Sequence, residues 1–344
     1  MPSHRLTAAS ELLGQSVATS EKVAELFPFK LSRFLSDRLA AGTYSLSAAR
    51  QFLPDGRELI DVATAAFDPC NEASYKVADQ VIQRYQNRAA LVATHHCLVY
   101  CRFCFRRDFV GFKASRITDD ALESGLRYLE SNSANRDVLV TGGDPLALPN
   151  RQLIPLLERL SAIPHLQVIR VHSRALSVQP DRIDDELLEC FRNSGKIWFY
   201  THMNHPDDID DPEVLRAAAR LRLAGVPILN QAVVLGGVND DPAVVTELCL
   251  KCYEAKILPY HLYVLDHVPG ASHFRVGAEK LLEIFDALGD LPGPAQPVFV
   301  VIDDTDLKHR VVPSRAVDRD VLRSMLDAKI DGSGVREVRT DVGS

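Results

Sequence analysis

The chain has 344 residues, 46% of them hydrophobic and 25% charged, with a formal net charge of −7. This composition is ordinary for a globular protein, and the length suits one large α/β domain or two smaller ones. The acidic balance argues against a nucleic-acid partner held by bulk electrostatics. No stretch approaches the roughly 18 apolar residues of a membrane span, and the N-terminus lacks the apolar run of a signal peptide. We therefore expect a cytoplasmic protein that binds neither nucleic acid nor membrane.

The first 88 residues are predicted to be mostly helical, beginning with one helix over 6–27. From residue 89 onward, apolar runs alternate with helical patterns at a spacing of about 30 residues, the size of one βα unit. Thr118 and Asp211 are the predicted N-caps of two of these helices. The predicted strands span 88–94, 137–143, 166–173, 196–202, 226–235 and 259–266, and a further strand spans 296–304.

Six successive βα units predict an α/β fold, a partial (β/α)6 TIM-like barrel, because such apolar strands are covered on both faces. The helical N-terminal region spans 1–88, the barrel 89–290 and a short C-terminal extension 291–344. An open doubly wound sheet is the alternative, since strand order cannot be read from sequence. Polar residues at the carboxyl ends of the predicted strands favour the barrel, in which those ends meet on one face.

Three of the seven cysteines, Cys97, Cys101 and Cys104, lie within eight positions after the first predicted strand. An odd, clustered set indicates reduced thiols or metal ligands and not disulfides. Three thiolates can hold a four-iron cluster that leaves one iron open to a ligand. A structural zinc site needs four ligands, which His95 or His96 could complete, so zinc stays an alternative.

This Cys-x3-Cys-x2-Cys pattern at the end of a first barrel strand resembles the signature of the radical S-adenosylmethionine (SAM) superfamily. The resemblance implies a [4Fe–4S] cluster on the three cysteines, with S-adenosyl-L-methionine on the open iron. The stretch "TGGDP" (141–145) resembles the glycine motif that contacts the amino group of SAM. Glycine allows a ligand to approach the backbone closely. The implied SAM contacts are Gly142, Gly143, Asp144, Ser173, Arg174, His202 and Gln231.

A narrower resemblance covers roughly residues 80–315. The blocks "CRFCFRRDF", "RVHSRALSVQPDRI", "THMNHPDDI" and "LPYHLYVLDHVPGASHF" resemble, in order, those of the lysine 2,3-aminomutase family. The last block is also similar to the branch that acts on a lysine of elongation factor P. The resemblance implies an isomerase that moves the α-amino group of an amino acid, free or protein-bound L-lysine, to C3. Its implied second cofactor is pyridoxal 5′-phosphate (PLP), and its partners are an amino acid or elongation factor P.

The same resemblance implies an electron donor such as flavodoxin or ferredoxin, and it leaves a homo-oligomer open. It assigns Lys308, in the C-terminal extension, to a Schiff base with PLP. The phosphate of PLP is assigned to Arg84, Tyr85 and Arg88, with Arg102 assisting.

The resemblance assigns Arg106 to the substrate carboxylate and Asp266 to the distal ammonium of lysine. The second acid of the family falls at Ile302 or Asp303. The chain has "DDTDL" where the family has a glycine-rich run before the Schiff-base lysine. This departure keeps open a radical SAM enzyme without the PLP step. A metal- or cluster-bearing binding protein without catalysis is the third alternative.

Overall fold

A computed structural model describes residues 4–62, 65–107, 109–110, 116–302, 308–330 and 335–337. The helices are α1 (His4–Leu13), α2 (Val17–Leu26), α3 (Arg33–Ala40), α4 (Leu46–Ala49), α5 (Asp119–Ser131), α6 (Asn150–Ala162), α7 (Ala175–Val178), α8 (Asp185–Ser194), α9 (Pro212–Leu223), α10 (Pro242–Glu254), α11 (Ala278–Gly289) and α12 (Arg319–Ile330). The strands are β1 (Ile60–Val62), β2 (Lys76–Ala78), β3 (Val81–Tyr85), β4 (Arg88–Thr94), β5 (Asp137–Gly142), β6 (Val168–His172), β7 (Ile197–Thr201), β8 (Ile228–Val234), β9 (Leu258–Val264), β10 (Val298–Ile302), β11 (Lys308–Val311) and β12 (Val335–Glu337).

One ten-stranded sheet carries the fold, with its strands in the order β11-β10-β9-β8-β7-β6-β5-β4-β3-β2. Strands β4 to β10 pair as parallel neighbours in chain order. A doubly wound sheet reverses its strand order at a switch point, and this sheet does not. The predicted partial barrel is therefore confirmed. The additional predicted strand, β10, extends the parallel part of the sheet.

Two predictions for the N-terminal region are wrong. The single predicted helix is divided into α1 and α2, because Gly14 has a φ of 62° and Ser16 caps the second helix. Residues 76–85, predicted as helical, form β2 and β3. Strand β3 pairs antiparallel with β4 across a two-residue turn, so this segment belongs to the sheet. Its short strands carry polar residues, which hides the strand pattern.

The two ends of the sheet meet through a side-chain contact, which we call the seam. Tyr85 of β3 is hydrogen-bonded to the guanidinium of Arg310 on β11, although these strands lie near opposite ends of the strand order. Burial raises the pKa of Tyr85. The Arg310 hydrogen bond and the charges of Lys308, Arg88 and Arg310 lower the pKa by more than burial raises it, so the pKa of Tyr85 lies below its ordinary value. The curled sheet encloses the space that the seam borders.

A buried carboxylate joins the N-terminal region to the cysteine loop. Glu58 is completely buried, and its oxygens accept hydrogen bonds from Arg102 Nε at 2.9 Å and Nη2 at 2.7 Å. Arg107 Nη2 donates to the same carboxylate at 2.7 Å. Burial raises the pKa of Glu58, but the two guanidinium charges lower it below its ordinary value.

Arg102 corrects a prediction from the family resemblance. Its remaining nitrogen, Nη1, donates to the carbonyl oxygen of Pro28 at 2.7 Å, and the side chain is 1% exposed. Its guanidinium donors are therefore used inside the protein. The structure contradicts the assignment of Arg102 to a cofactor phosphate, because the residue holds the cysteine loop against the N-terminal region.

The described part of the chain contains no helix that is long and apolar enough to cross a membrane.

Glu58→Gln should destabilise the protein by about 3 kcal/mol or more, because it leaves two buried guanidinium groups without a full counter-charge. Urea denaturation measures this loss. Glu279→Gln is the matched control, since Glu279 forms an exposed ion pair with Arg323. The control should keep the wild-type midpoint. Equal midpoints for Glu58→Gln and wild type would contradict this account of the network.

Candidate active site

A cavity of about 400 Å³ lies inside the curled sheet and opens at the carboxyl ends of the parallel strands. Asp303 lies outside the described residues, and Arg102 does not reach the cavity. The other predicted site residues all lie on its wall: Arg84, Tyr85, Arg88, Cys97, Cys101, Cys104, Arg106, Gly142, Gly143, Asp144, Ser173, Arg174, His202, Gln231, Asp266 and Lys308.

The three clustered cysteines form one end of the cavity. Burial and the neighbouring thiols raise the pKa of Cys104 to about 11 and that of Cys97 well above its ordinary value. Arg174 Nη1 lies 3.1 Å from Cys101 Sγ. Buried thiols become ligands when a metal stabilises their thiolates. No three histidine, cysteine or acidic side chains of the described residues are grouped as ligands of a single metal ion.

The glycine motif packs against the start of the cysteine loop. A Cβ on Gly142 would lie 2.2 Å from the Thr94 carbonyl oxygen, and one on Gly143 would lie 2.2 Å from that of His96. The Gly143 N–H donates to Thr94 at 2.6 Å, and the Asp144 N–H donates to His96 at 2.7 Å. These glycines are therefore required by backbone packing in addition to any ligand.

Two histidines on the cavity wall present polar atoms without partners. The Nε2 atoms of His172 and His202 are buried and have no hydrogen-bond partner among the described residues. Burial, with the nearby charge of Arg174, lowers the pKa of His202 to about 3, so its imidazole is neutral. A buried atom of this kind normally has a partner. It therefore fits a polar ligand in the cavity.

Positive charge gathers at the other end of the cavity, around His261. Burial and the charges of Arg310, Lys308, Arg170 and Arg88 lower the pKa of His261 to about 3. Asp137 pairs with Arg170 at 2.7 Å. We call these four cations the cationic cluster. Guanidinium groups donate paired hydrogen bonds to the oxygens of a phosphate, so the cationic cluster fits a phosphorylated ligand.

Two members of the cationic cluster, Arg170 and Arg310, were missed from the sequence. Each lies two residues from another cavity residue on the same strand, His172 on β6 and Lys308 on β11. Because alternate residues of a strand share a face, period-two counting could have found both. The predicted Arg84 also lies on the wall, but it donates to the Cys70 carbonyl oxygen and lies over the Tyr75 ring.

The two predicted substrate-binding charges each have an internal partner. Arg106 donates to Glu72 through Nε at 2.8 Å and Nη2 at 2.6 Å, and to Thr141 through Nη1 at 3.1 Å. Asp266 accepts from Lys329 Nζ at 3.1 Å. Sequence reasoning missed Glu72 and Lys329, because neither belongs to a block that resembles the family.

Comparison with known proteins agrees with this geometry. A family model described as the Radical SAM superfamily matches residues 91–248. The L-lysine 2,3-aminomutase of Escherichia coli K12 is 33% identical over 275 residues, which cover 80% of each chain. The chain belongs to the lysine 2,3-aminomutase family.

Two further relatives of the family are longer than this chain. The L-lysine 2,3-aminomutase of Fusobacterium nucleatum is 34% identical over 281 residues, 80% of this chain and 66% of that protein. The glutamate 2,3-aminomutase of Clostridioides difficile is 35% identical over 235 residues, 68% of this chain and 56% of that protein. The match thus spans about two thirds or less of these relatives.

The cofactors of the lysine 2,3-aminomutase family are a [4Fe–4S] cluster, SAM and PLP, and the cavity fits all three. The cysteines are suitable cluster ligands, and the unpartnered Nε2 of His202 fits a polar group of SAM. Lys308 lies among the three arginines of the cationic cluster, where a phosphate and an aldehyde carbon could be held together. Strand β4 runs from Arg88 at the cationic end to Thr94 beside the cysteines, a span of about 20 Å for its length.

Arg310→Met should raise the Kd for PLP by about tenfold or more, because a hydrogen bond to a charged phosphate is lost. Absorbance titration with PLP measures the change. Tyr85→Phe removes the seam hydrogen bond but keeps the Arg310 charge, so its effect should be smaller. Arg315→Met, at an exposed arginine, should leave the Kd unchanged. If Arg310→Met and Arg315→Met bind PLP equally well, Arg310 does not hold the phosphate.

Proposed function

We propose that this protein is an amino acid 2,3-aminomutase, an isomerase that moves the α-amino group of a free amino acid to C3. One observation carries the proposal: the three clustered cysteines and the cationic cluster, which includes Lys308, line the same cavity. A substrate held at Lys308 can therefore reach the SAM end without leaving the protein. A lysine among three arginines suits a phosphorylated aldehyde, which favours this function over an enzyme without the PLP step.

When bound, the [4Fe–4S] cluster and SAM supply hydrogen-atom abstraction, and PLP supplies the electron delocalisation that lets the amino group migrate. The protein supplies position and charge. Lys308 offers the amine for the PLP aldehyde, and Arg88 and Arg310 hold the phosphate. Buried Arg106 donates one Nη2 hydrogen to Glu72 and keeps the other, with which it can orient a substrate carboxylate in the cavity. The curled sheet surrounds the cavity and limits the access of water to the reacting atoms.

The position of Arg106 supports a free amino acid as the substrate. The residue is 7% exposed, and its guanidinium lies on the cavity wall, where it suits a carboxylate. A lysine within a polypeptide has neither a free α-carboxylate nor a free α-amino group. A lysine of elongation factor P is therefore less well matched to a 2,3-shift than free L-lysine or another free amino acid.

We further propose an electron donor such as flavodoxin or ferredoxin, because cluster reduction needs an external electron. The seven cysteines are all free thiols. Free thiols and a cluster that depends on them suit a reducing compartment, which supports the cytoplasm as the location.

Anaerobic reconstitution with iron, sulfide and PLP tests the proposal. Wild-type protein should cleave SAM under reducing conditions and convert a free amino acid to its 3-amino isomer, identified by product mass and amino-group position. Cys101→Ala should lose iron and SAM cleavage. Cys190→Ala, at a buried thiol of α8 that is not on the cavity wall, is the matched control and should keep both.

Lys308→Ala should keep its iron but lose the absorbance of PLP bound as an imine. Unchanged imine absorbance would show that another residue anchors PLP. SAM cleavage without any rearranged amino acid would support the alternative without the PLP step. A Cys101→Ala variant that retains iron and cleaves SAM would overturn the whole proposal.

A further inference from the structure

Lys329 lies on the buried face of α12. It follows Leu322 and Leu326 at helical spacing. Lys329 is 6% exposed, Leu322 is 1% exposed and Leu326 is 0% exposed. Exposed ion pairs between Arg319 and Asp286 and between Arg323 and Glu279 link the outer faces of α12 and α11, and α12 packs through its buried leucines. The helix therefore directs an ammonium group inward, although a lysine is almost never fully buried unless it is paired.

The partner of this ammonium is Asp266, on the wall of the active-site cavity. Lys329 Nζ lies 3.1 Å from Asp266 Oδ1, and the two side chains are 6% and 15% exposed. The Cys70 thiol lies 3.9 Å from Asp266 Oδ2. Burial and the Asp266 charge raise the pKa of Cys70 to about 12, so the thiol is neutral. Both oxygens of Asp266 thus already have a neighbour inside the protein.

Asp266 also lies close to the amine that would anchor a substrate. Lys308 Nζ lies 5.9 Å from the centre of the ring of Tyr263, three residues before Asp266, and all three side chains line the same cavity. The side chain of an amino acid held at Lys308 can therefore reach Asp266. The combined charge of Asp266 and its partner Lys329 therefore acts on that side chain.

We propose that Lys329 determines substrate specificity. The ammonium of Lys329 balances the negative charge of Asp266. The part of the cavity that receives the substrate side chain therefore selects an uncharged side chain over one that ends in an ammonium. A lysine substrate would bring a second ammonium to a carboxylate that already has one, and the repulsion between the two cations offsets the attraction. This inference rests on the proposed function, because it concerns the substrate of that site.

Substrate binding to the PLP-loaded protein tests this proposal by equilibrium dialysis. The probes are L-lysine and L-norleucine, which has a methyl group in place of the aminomethyl end. Wild type should bind L-norleucine more tightly. Lys329→Met should tighten L-lysine binding by about tenfold and leave L-norleucine nearly unchanged, because Asp266 gains a free charge. Lys280→Met is the matched control, at a half-exposed lysine paired with Asp240, and should keep the wild-type ratio.

Two further variants keep the test decisive if Lys329→Met does not fold. Asp266→Asn leaves Lys329 without its acid and should weaken L-lysine binding by about tenfold. The double variant Asp266→Asn, Lys329→Met restores a neutral pair and should return the ratio of affinities to the wild-type value. Acids elsewhere in the cavity are the same in every variant, so changes in the ratio report on this pair.

The proposal is overturned if wild type binds L-lysine more tightly than L-norleucine. An unchanged affinity ratio in Lys329→Met, or in Asp266→Asn where Lys329→Met is unfolded, overturns it too. Failure of the proposed function has a different signature, since no amino acid is then rearranged even though SAM is cleaved. The affinity ratio does not depend on that reaction.

Discussion

The carboxylate of Glu58 is the interaction on which the active site depends. Burying a charge is costly unless it is paired, and Glu58 is paired with two arginines of the cysteine loop. Forty-four positions separate Glu58 from Arg102 in the chain. The loop that carries Cys101 and Cys104 is therefore shaped by the N-terminal region and not by the barrel alone. Removing that region would leave two buried cations beside the cluster ligands.

The three arginines of the cysteine loop show how one motif serves several purposes. Arg102 and Arg107 face the N-terminal region, whereas Arg106 faces the cavity. Their spacing alone does not distinguish these directions. The family resemblance assigned Arg102 and Arg106 to ligands, and the structure supports only Arg106 as a cavity residue. Their partner Glu58 lies in a short 3-10 helix (Gly56–Leu59), where its sequence spacing from Asp55 indicates a capping box and gives no sign of the two arginines.

The barrel strands could be predicted from sequence because their physical signal is local. A parallel strand covered on both faces is a continuous apolar run, and β4 spans the predicted residues 88–94. The predicted residues on the cavity wall came from motifs that resemble the family, and many of these motifs lie at the strand ends. Glu72 and Lys329 could not be predicted in this way, since an ion pair between distant segments leaves no periodic trace. Strands β2 and β3 were missed because they are short and partly polar.

The seam links the stability of the sheet to the binding of a cofactor. Among the described residues, the two sides are joined by the Tyr85–Arg310 contact and their backbones do not pair, and the cationic cluster includes Arg88 from one side and Arg310 from the other. A phosphate bound between Arg88 and Arg310 would hold the two ends of the sheet together. Because a ligand that binds only the folded state adds to its stability, the bound cofactor would stabilise the closed sheet as well as take part in the chemistry.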